Sequence, residues 1–320
     1  MVGSSAASWE GDEERALALQ EELVTRYPDE AGAYRRLSWL YRTVLGDAEK
    51  AMQTLERGVR AVPTDGPLRN HLAYQLLYIG RFDEAIRQLE AYAEFAPTEP
   101  NPHDSLGEAN LLFGHPEEAI ARYTDAIDVD HTFTDSYRGR AWAHAVLGHY
   151  DHALADLAAA EDAAAGAELP LFYALMIKGQ LLAQMGRYRE AELVAGEIHR
   201  LAEDAGVAAV HRAVWLLSSA IALDRGDLSV AIDSATRVLE APERDKVLDL
   251  EAHCLAGIGE ARSGRLAEAQ GHHDAAGALF AGLQEGDIWL YQSLEGEIAL
   301  ASGDLVRAEA AFTAGLPTGK

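Results

Sequence analysis

The chain has 320 residues with a formal charge of −25 at pH 7, and 48% of its residues are hydrophobic. This charge argues against a nucleic-acid partner, because phosphate contacts from basic side chains dominate that kind of affinity. No apolar run is long enough to span a bilayer, so we expect no membrane partner. The single cysteine, Cys254, excludes an intrachain disulfide and agrees with a cytoplasmic protein.

The N-terminal region, residues 1–30, is predicted to be a tail followed by one helix. Residues 1–14 combine neither a basic stretch nor an apolar one, so no secretory signal is expected. An amphipathic helix is predicted from Asp12 to Tyr27, where Pro28 closes it. Because the helix has no partner within this region, we expect it to cover the apolar face of the element that follows.

Residues 100–130 show the unit that organises the rest of the chain. Two helical patterns meet at Gly114, which supplies the backbone freedom that ends the first of them. Gly107 on the first helix and Ala119 on the second are small, so these helices can approach each other closely. Leu106 and Tyr123 would fill the space on either side. The unit is therefore predicted to be an antiparallel helix pair.

The same unit recurs along the chain. A turn glycine is followed five residues later by alanine at Gly11/Ala16, Gly46/Ala51, Gly80/Ala85, Gly114/Ala119, Gly148/Ala153, Gly186/Ala191, Gly226/Ala231, Gly264/Ala269 and Gly303/Ala308. The glycines from Gly46 to Gly148 are 34 residues apart, and later ones are 38 to 40 apart. This pattern resembles the tetratricopeptide repeat, whose period is about 34 residues. The longer repeats are similar to those of bacterial regulators that contain such arrays.

The resemblance implies an all-α, right-handed superhelical solenoid of about eight helix-turn-helix units plus an N-terminal capping helix. We predict one sub-array at residues 31–164 and a second at 165–320. The extra four to six residues per repeat in the second amount to about one helical turn or slightly more, so its helices should be longer. The stretch Ala160 to Pro170 is the linker-like segment, and we interpret it as a hinge or boundary.

In the tetratricopeptide family the first helix of each pair lines a concave groove. The resemblance places the groove positions ten and six residues before each turn glycine, with one residue of allowance in the first repeat. The candidate binding residues of the first four repeats are Arg35, Trp39, Asn70, Tyr74, Asp104, Glu108, Arg138 and Trp142. The equivalent positions in the later repeats are more apolar, so we place the ligand in the first half.

The predicted function is a scaffold that binds a protein or peptide segment in this groove. Arg35 and Arg138 would hold acidic groups, because arginine forks bind carboxylates in a bidentate manner. Trp39, Tyr74 and Trp142 would supply apolar contact area with a polar tip. Residues 31–70 carry a local excess of three positive charges, which agrees with an acidic segment as the partner.

Two other functions remain open at this stage. The change of period around residues 160–170 would also suit a regulatory domain that senses a ligand or peptide. A hydrolase-type enzyme using the His71 and Glu108 region is a remote alternative. Acid–base catalysis needs side chains that converge on one point, whereas His103 and Asp104 are adjacent on a helix and therefore point apart. We therefore expect no enzyme, no catalytic residue, no cofactor and no metal site.

The C-terminal end, from Glu309 onward, contains no further amphipathic helix that would cover the last repeat. The uncovered face therefore indicates one of three arrangements: a chain cut short at this point, a homodimer through this end, or a last helix polar enough to need no cover.

Overall fold

The computed structural model describes residues 13–205, 208–242, 244–280 and 288–315. Within these ranges all regular secondary structure is α-helical, so the all-α prediction is confirmed. The chain divides into two compact units, unit 1 up to Ala163 and unit 2 from Ala164. The predicted tail at residues 1–12, with Gly11, lies outside the described residues.

Unit 1 contains α1 (Glu13–Arg26), α2 (Ala31–Thr43), α3 (Ala48–Ala61), α4 (Gly66–Tyr78), α5 (Phe82–Phe95), α6 (Asn101–Leu112), α7 (Pro116–Val129), α8 (Thr134–Val146) and α9 (Tyr150–Ala164). The even-numbered helices are the first members of each pair and are called A helices below. The odd-numbered helices from α3 onward are called B helices. Helices α2, α4 and α6 each pack against the B helix that follows.

Helix α1 packs against α2, as the N-terminal capping helix was predicted to do. Ala16 and Val24 of α1 are buried. The side-chain amide of Gln20 donates a hydrogen bond to the carbonyl of Ala33, with 3.1 Å between the nitrogen and the oxygen. A buried polar side chain that finds such a partner fixes the position of one helix along the next.

Unit 2 contains α10 (Glu168–Gln184), α11 (Tyr188–Ala205), α12 (Ala208–Arg225), α13 (Leu228–Glu240), α14 (Lys246–Arg262), α15 (Leu266–Phe280), α16 (Ile288–Ala301) and α17 (Leu305–Ala314). Its first three A helices have 17, 18 and 17 residues. The A helices of unit 1 have 12 or 13. The predicted lengthening is therefore confirmed for α10, α12 and α14, and the B helix α11 also has 18 residues.

The predicted turn glycines are confirmed from Gly46 to Gly303. Their φ angles lie between +64° and +86°, a left-handed conformation that side chains disfavour. The predicted linker at Ala160 to Pro170 is mostly helical instead. Helix α9 runs to Ala164 and α10 begins at Glu168, because Ala165 and Gly166 both turn the backbone with positive φ.

Unit 2 also has a buried ion pair that the sequence did not reveal. Arg212 of α12 donates to the carboxylate of Asp249 on α14, and their side chains are 2% and 4% exposed. Arg244 adds a second contact, 3.0 Å from the other carboxylate oxygen. Loss of one partner from such a pair would leave a buried charge uncompensated, which typically costs about 3–5 kcal/mol. The pair ties one A helix to the next.

The packing of the third repeat is tested by Ala119→Leu. Ala119 is fully buried, so the larger side chain has no space and should lower the free energy of unfolding by about 1–3 kcal/mol. Urea denaturation measures this effect. Ala121→Leu makes the same change at an exposed position of the same helix and is the control. Equal stability of the two variants would contradict the close packing of α6 and α7.

Candidate binding face of unit 1

The A helices of unit 1 form a layer of their own. Helix α2 contacts α4, α4 contacts α6, and α6 contacts α8. The B helices α3, α5 and α7 do not contact one another. Because neighbouring helices are closer on the A side, the A helices line the inner side of this unit.

The structure places the predicted residues in two tiers on these helices. The first tier lies ten residues before the turn glycine, or eleven in the first repeat, and consists of Arg35, Asn70, Asp104 and Arg138. The second tier, one helical turn later, consists of Trp39, Tyr74, Glu108 and Trp142. Residues four apart share one face of a helix, so each pair projects from the same side. Trp39 is 55% exposed, and the other seven are half-buried.

Hydrogen bonds connect these positions from one A helix to the next. The hydroxyl of Tyr74 on α4 donates to the carboxylate of Glu108 on α6 and lies 3.5 Å from the hydroxyl oxygen of Ser105. The hydroxyl of Ser136 on α8 donates to Asp104 Oδ1 at 2.7 Å. The structure therefore brings Tyr74 and Glu108 together and ties Asp104 to the fourth repeat. Neither serine was singled out from the sequence.

The two arginines of the first tier already have carboxylate partners within the chain. Arg35 Nη1 lies 3.4 Å from Asp65 Oδ1, and Asp65 also accepts a hydrogen bond from the backbone at the start of α4. Arg138 Nη1 lies 2.7 Å from Asp135 Oδ1, one turn earlier on α8. A carboxylate of a ligand would have to compete with these groups. Partly exposed ion pairs contribute little stability, typically about 0–1 kcal/mol, so the exchange is feasible.

The centre of the face is acidic. Burial raises the pKa of Asp104 to about 6, and the nearby carboxylates Asp135 and Glu108 add to this while the hydrogen bond from Ser136 opposes it. Burial, followed by the hydrogen bond to Glu108, also raises the pKa of the Tyr74 hydroxyl. At neutral pH the tyrosine therefore keeps its proton as a donor, and Asp104 holds its charge in a half-buried position.

One buried polar atom of the face lacks a partner. Asn70 Oδ1 has no hydrogen-bond partner within the described part of the chain. Buried amide oxygens are usually satisfied, and each exception needs an explanation. A donor group of a ligand would satisfy this oxygen.

A third tier of the face was missed in the sequence. Tyr78, Leu112 and Val146 lie two residues before the turn glycine in three successive repeats, one further turn along each A helix. They are 57%, 64% and 64% exposed. Arg42 lies over the Tyr78 ring, with its guanidinium carbon 4.7 Å from the ring centroid. The same four-residue step that links the first two tiers could have revealed the third.

His71 and Glu108, the residues of the enzyme alternative, each contact a different group. His71 is exposed, and its Nδ1 lies 2.8 Å from the carbonyl oxygen of Pro67 in its own helix. Glu108 accepts the Tyr74 hydrogen bond described above. At the corresponding positions of the later repeats, Leu216, Cys254 and Ile258 are buried, whereas Gln180 is exposed and Ser293 and Glu297 are half-buried.

The comparison with solved structures found several similar chains. A tetratricopeptide repeat protein from Parabacteroides merdae is 14% identical, with a TM-score of 0.58 over 91% of this chain and 98% of that one. PilW, a type IV pilus biogenesis factor, is 17% identical, with a TM-score of 0.50 over 65% of this chain and 91% of that one. MamA from Desulfovibrio magneticus is 19% identical, with a TM-score of 0.41 over 48% of this chain and 87% of that one.

The likeness to the Parabacteroides merdae protein and to PilW shows the fold, and the predicted tetratricopeptide architecture is confirmed. No protein-family model matches the sequence, and the comparison with curated proteins found no match. None of the described helices combines the length and the apolar character that crossing a membrane requires.

The raised pKa of Asp104 predicts a pH-dependent effect of Asp104→Asn. The folded-state pKa of about 6 lies above the unfolded value of about 3.9. The folded state therefore binds the proton more tightly, and this group lowers stability as pH rises from about 4 to 6. The neutral asparagine should stabilise the protein at pH 7.5 by about 1–3 kcal/mol, with a gain that shrinks toward pH 4.5.

Urea denaturation at both pH values measures this difference. Asp128→Asn removes an exposed carboxylate from α7 and serves as the control. If Asp104→Asn shows the same small, pH-independent change as the control, the carboxylate does not have a raised pKa.

Proposed function

We propose that the chain is a protein-binding scaffold and that unit 1 receives a segment of a partner protein on its three-tiered inner face. The observation that carries this proposal is the recurrence of exposed apolar side chains in register with the polar tiers. Tyr78, Leu112 and Val146 are each more than half exposed and follow the two polar tiers on α4, α6 and α8. Exposed apolar side chains grouped beside polar ones are typical of interaction sites.

The three tiers suggest the chemistry of the bound segment. Apolar side chains of the partner would cover the third tier, where removal of apolar surface from water drives binding. Acidic groups would meet Arg35 and Arg138, replacing Asp65 and Asp135 as their partners. Between them, a donor group such as an amide or a lysine would meet Asp104. The partner is thus an extended or helical segment that carries carboxylates and apolar side chains.

Charge reversal at the two arginines tests the first part of this proposal. A displayed library of random peptides is selected on the parent protein, and the selected peptides are titrated against Arg35→Glu/Arg138→Glu. We expect acidic residues among the selected peptides and at least tenfold weaker binding, because both substitutions place a carboxylate where a carboxylate of the peptide would lie, and like charges at an interface repel each other strongly. Fluorescence anisotropy measures the affinities.

The control is Arg36→Glu/Arg87→Glu, which makes the same change in net charge at two exposed arginines of unit 1. This variant should bind the peptides within about twofold of the parent. Equal weakening by both variants would show that the loss of binding comes from the net charge of the protein and not from contacts at Arg35 and Arg138. No weakening by Arg35→Glu/Arg138→Glu would exclude the two arginines from the site.

Leu112→Asp/Val146→Asp tests the apolar tier with the same peptides. Both positions are 64% exposed, so the fold should tolerate the change, whereas binding should fall at least tenfold as apolar contact is lost. Leu193→Asp/Val230→Asp alters the same residue types at exposed positions of unit 2 and is the matched control. Peptides that bind both variants equally well would contradict a role for the third tier.

A further inference from the structure

Two histidines join the paired helices α14 and α15 in unit 2. His253 of α14 and His272 of α15 are both half-buried, and their Nδ1 atoms lie 2.9 Å apart. Two imidazole nitrogens at this distance share one proton, because one of them must carry hydrogen and donate while the other accepts. The contact is therefore a hydrogen bond only while at least one of the two rings is neutral.

The equivalent positions of another repeat show what this contact does. His253 lies eleven residues before its turn glycine, and His272 lies eight residues after it. The same two positions of the second repeat hold Arg69 and Gln88, whose side chains form a hydrogen bond of 2.7 Å between the A helix and the B helix. The histidine pair thus makes the same interhelical bond with side chains that titrate near neutral pH.

Helices α14 and α15 are close together at this point. A Cβ atom added at Gly257 of α14 would come within 3.0 Å of the Cβ atom of His272 and within 2.7 Å of the Leu294 side chain. The next residue, His273, stacks instead on Tyr291 of α16, with ring centroids 4.6 Å apart. Repulsion between His253 and His272 would therefore act directly on the packing of α14 against α15.

The charged side chains that act on the pair already have partners. Asp249, one turn before His253 on α14, pairs with Arg212 of α12 and with Arg244. Glu260 pairs with Arg265. Neither carboxylate is therefore free to stabilise a charged imidazole. On the other helices around the pair, the charged side chains are exposed or paired: Asp233, Arg237 and Glu240 of α13, Glu268 and Asp274 of α15, and Glu295 and Glu297 of α16.

This environment disfavours the charged form of both histidines. Burial, followed by the charge of His272, lowers the pKa of His253, with Asp249 opposing this shift and Arg244 adding to it. Burial also lowers the pKa of His272, and Glu260 opposes it. Near neutral pH both rings are therefore neutral and the hydrogen bond is intact.

We propose that the His253–His272 pair is an acid-sensitive bond that holds α15 against α14 near neutral pH and releases it when both rings become charged. One added proton can bind at Nε2 while the hydrogen bond between the Nδ1 atoms persists. A second proton puts hydrogen on both Nδ1 atoms and replaces the bond with repulsion between two positive charges. The pair lies in unit 2, and the proposal does not depend on the binding face of unit 1.

The direction of the pH dependence follows from the lowered pKa values. The folded state binds these protons less tightly than the unfolded state, in which a histidine has a pKa of about 6.5. The contribution of the pair to stability is therefore present above about pH 6.5 and is lost as the pH falls below it.

Titration of the imidazoles is the first test. Nuclear magnetic resonance spectra of protein labelled with ¹³C at the histidine Cε1 atoms give the pKa of each ring, and His253→Gln and His272→Gln assign the two signals. We expect both rings to gain protons at lower pH than the exposed His71 and His131, in two coupled steps.

An exchange of pairs is the second test. His253→Arg/His272→Gln gives the seventh repeat the side chains that the second repeat uses, and this pair does not titrate near neutral pH. Hydrogen exchange with mass spectrometry, corrected for the intrinsic exchange rate, measures the protection of α14 and α15 at about pH 7.5 and 5.5. We expect the parent to lose at least about tenfold more protection on acidification than the variant, the effect of one histidine that stays neutral one pH unit below 6.5.

The control is His71→Arg/His131→Gln, which makes the same two changes at exposed histidines of unit 1. Its helices α14 and α15 should respond to acid as those of the parent do. A second histidine pair, His199 and His211, has Nδ1 atoms 3.1 Å apart. This pair is common to all three proteins, so only the difference between them reports on His253 and His272.

Two results would overturn the proposal. One is an equal acid-induced loss of protection in the parent and in His253→Arg/His272→Gln. The other is a pKa at both His253 and His272 that matches the pKa of His71. If the exchanged pair prevents folding, the titration of the parent decides by itself.

Discussion

Aromatic rings packed against glycines set the distance between helices in unit 1. The ring of Tyr123 on α7 lies between α6 and α8. A Cβ atom added at Gly107 would come within 2.7 Å of this ring, and one at Gly139 within 2.3 Å. Real Cβ atoms do not come so close to a ring, so the two A helices keep this spacing only while both positions lack a side chain. The same packing of a ring against a glycine recurs for Tyr34 against Gly58, for Tyr92 against Gly66 and, in unit 2, for Phe312 against Gly296.

The inner face is a consequence of this packing. With Tyr123 seated against both glycines, α6 and α8 lie close enough for Ser136 to donate to Asp104 at 2.7 Å. The ring and the face also affect each other electrostatically. Burial first, and then the charges of Asp104 and Glu108, raise the pKa of the Tyr123 hydroxyl. Packing in the core therefore fixes where the acidic centre of the face lies.

Local chemistry explains which parts of this structure could be predicted from the sequence. The turn glycines and the alternation of A and B helices follow from backbone preferences and apolar spacing within a few residues. The predicted extent of α1, from Asp12 to Tyr27, agrees with the observed Glu13–Arg26 within one residue at each end. The linker-like segment near Ala165 was predicted to be longer than it is, because its alanines and glutamates favour a helix despite the glycine and proline nearby.

Contacts between repeats could not be predicted in the same way. The partner of Arg35 is Asp65, which lies 30 residues along the chain, and the pairing depends on how two helices are set side by side. The repeat period gives the position of a Cα atom on its helix but not the rotamer or partner of the side chain.

The ion pairs on the first tier change how selectivity would arise on this face. Because Asp65 and Asp135 already neutralise Arg35 and Arg138, a ligand carboxylate exchanges one partly exposed pair for another and gains little net energy. Charge would then orient the segment and suppress wrong partners, while the apolar third tier supplies most of the affinity.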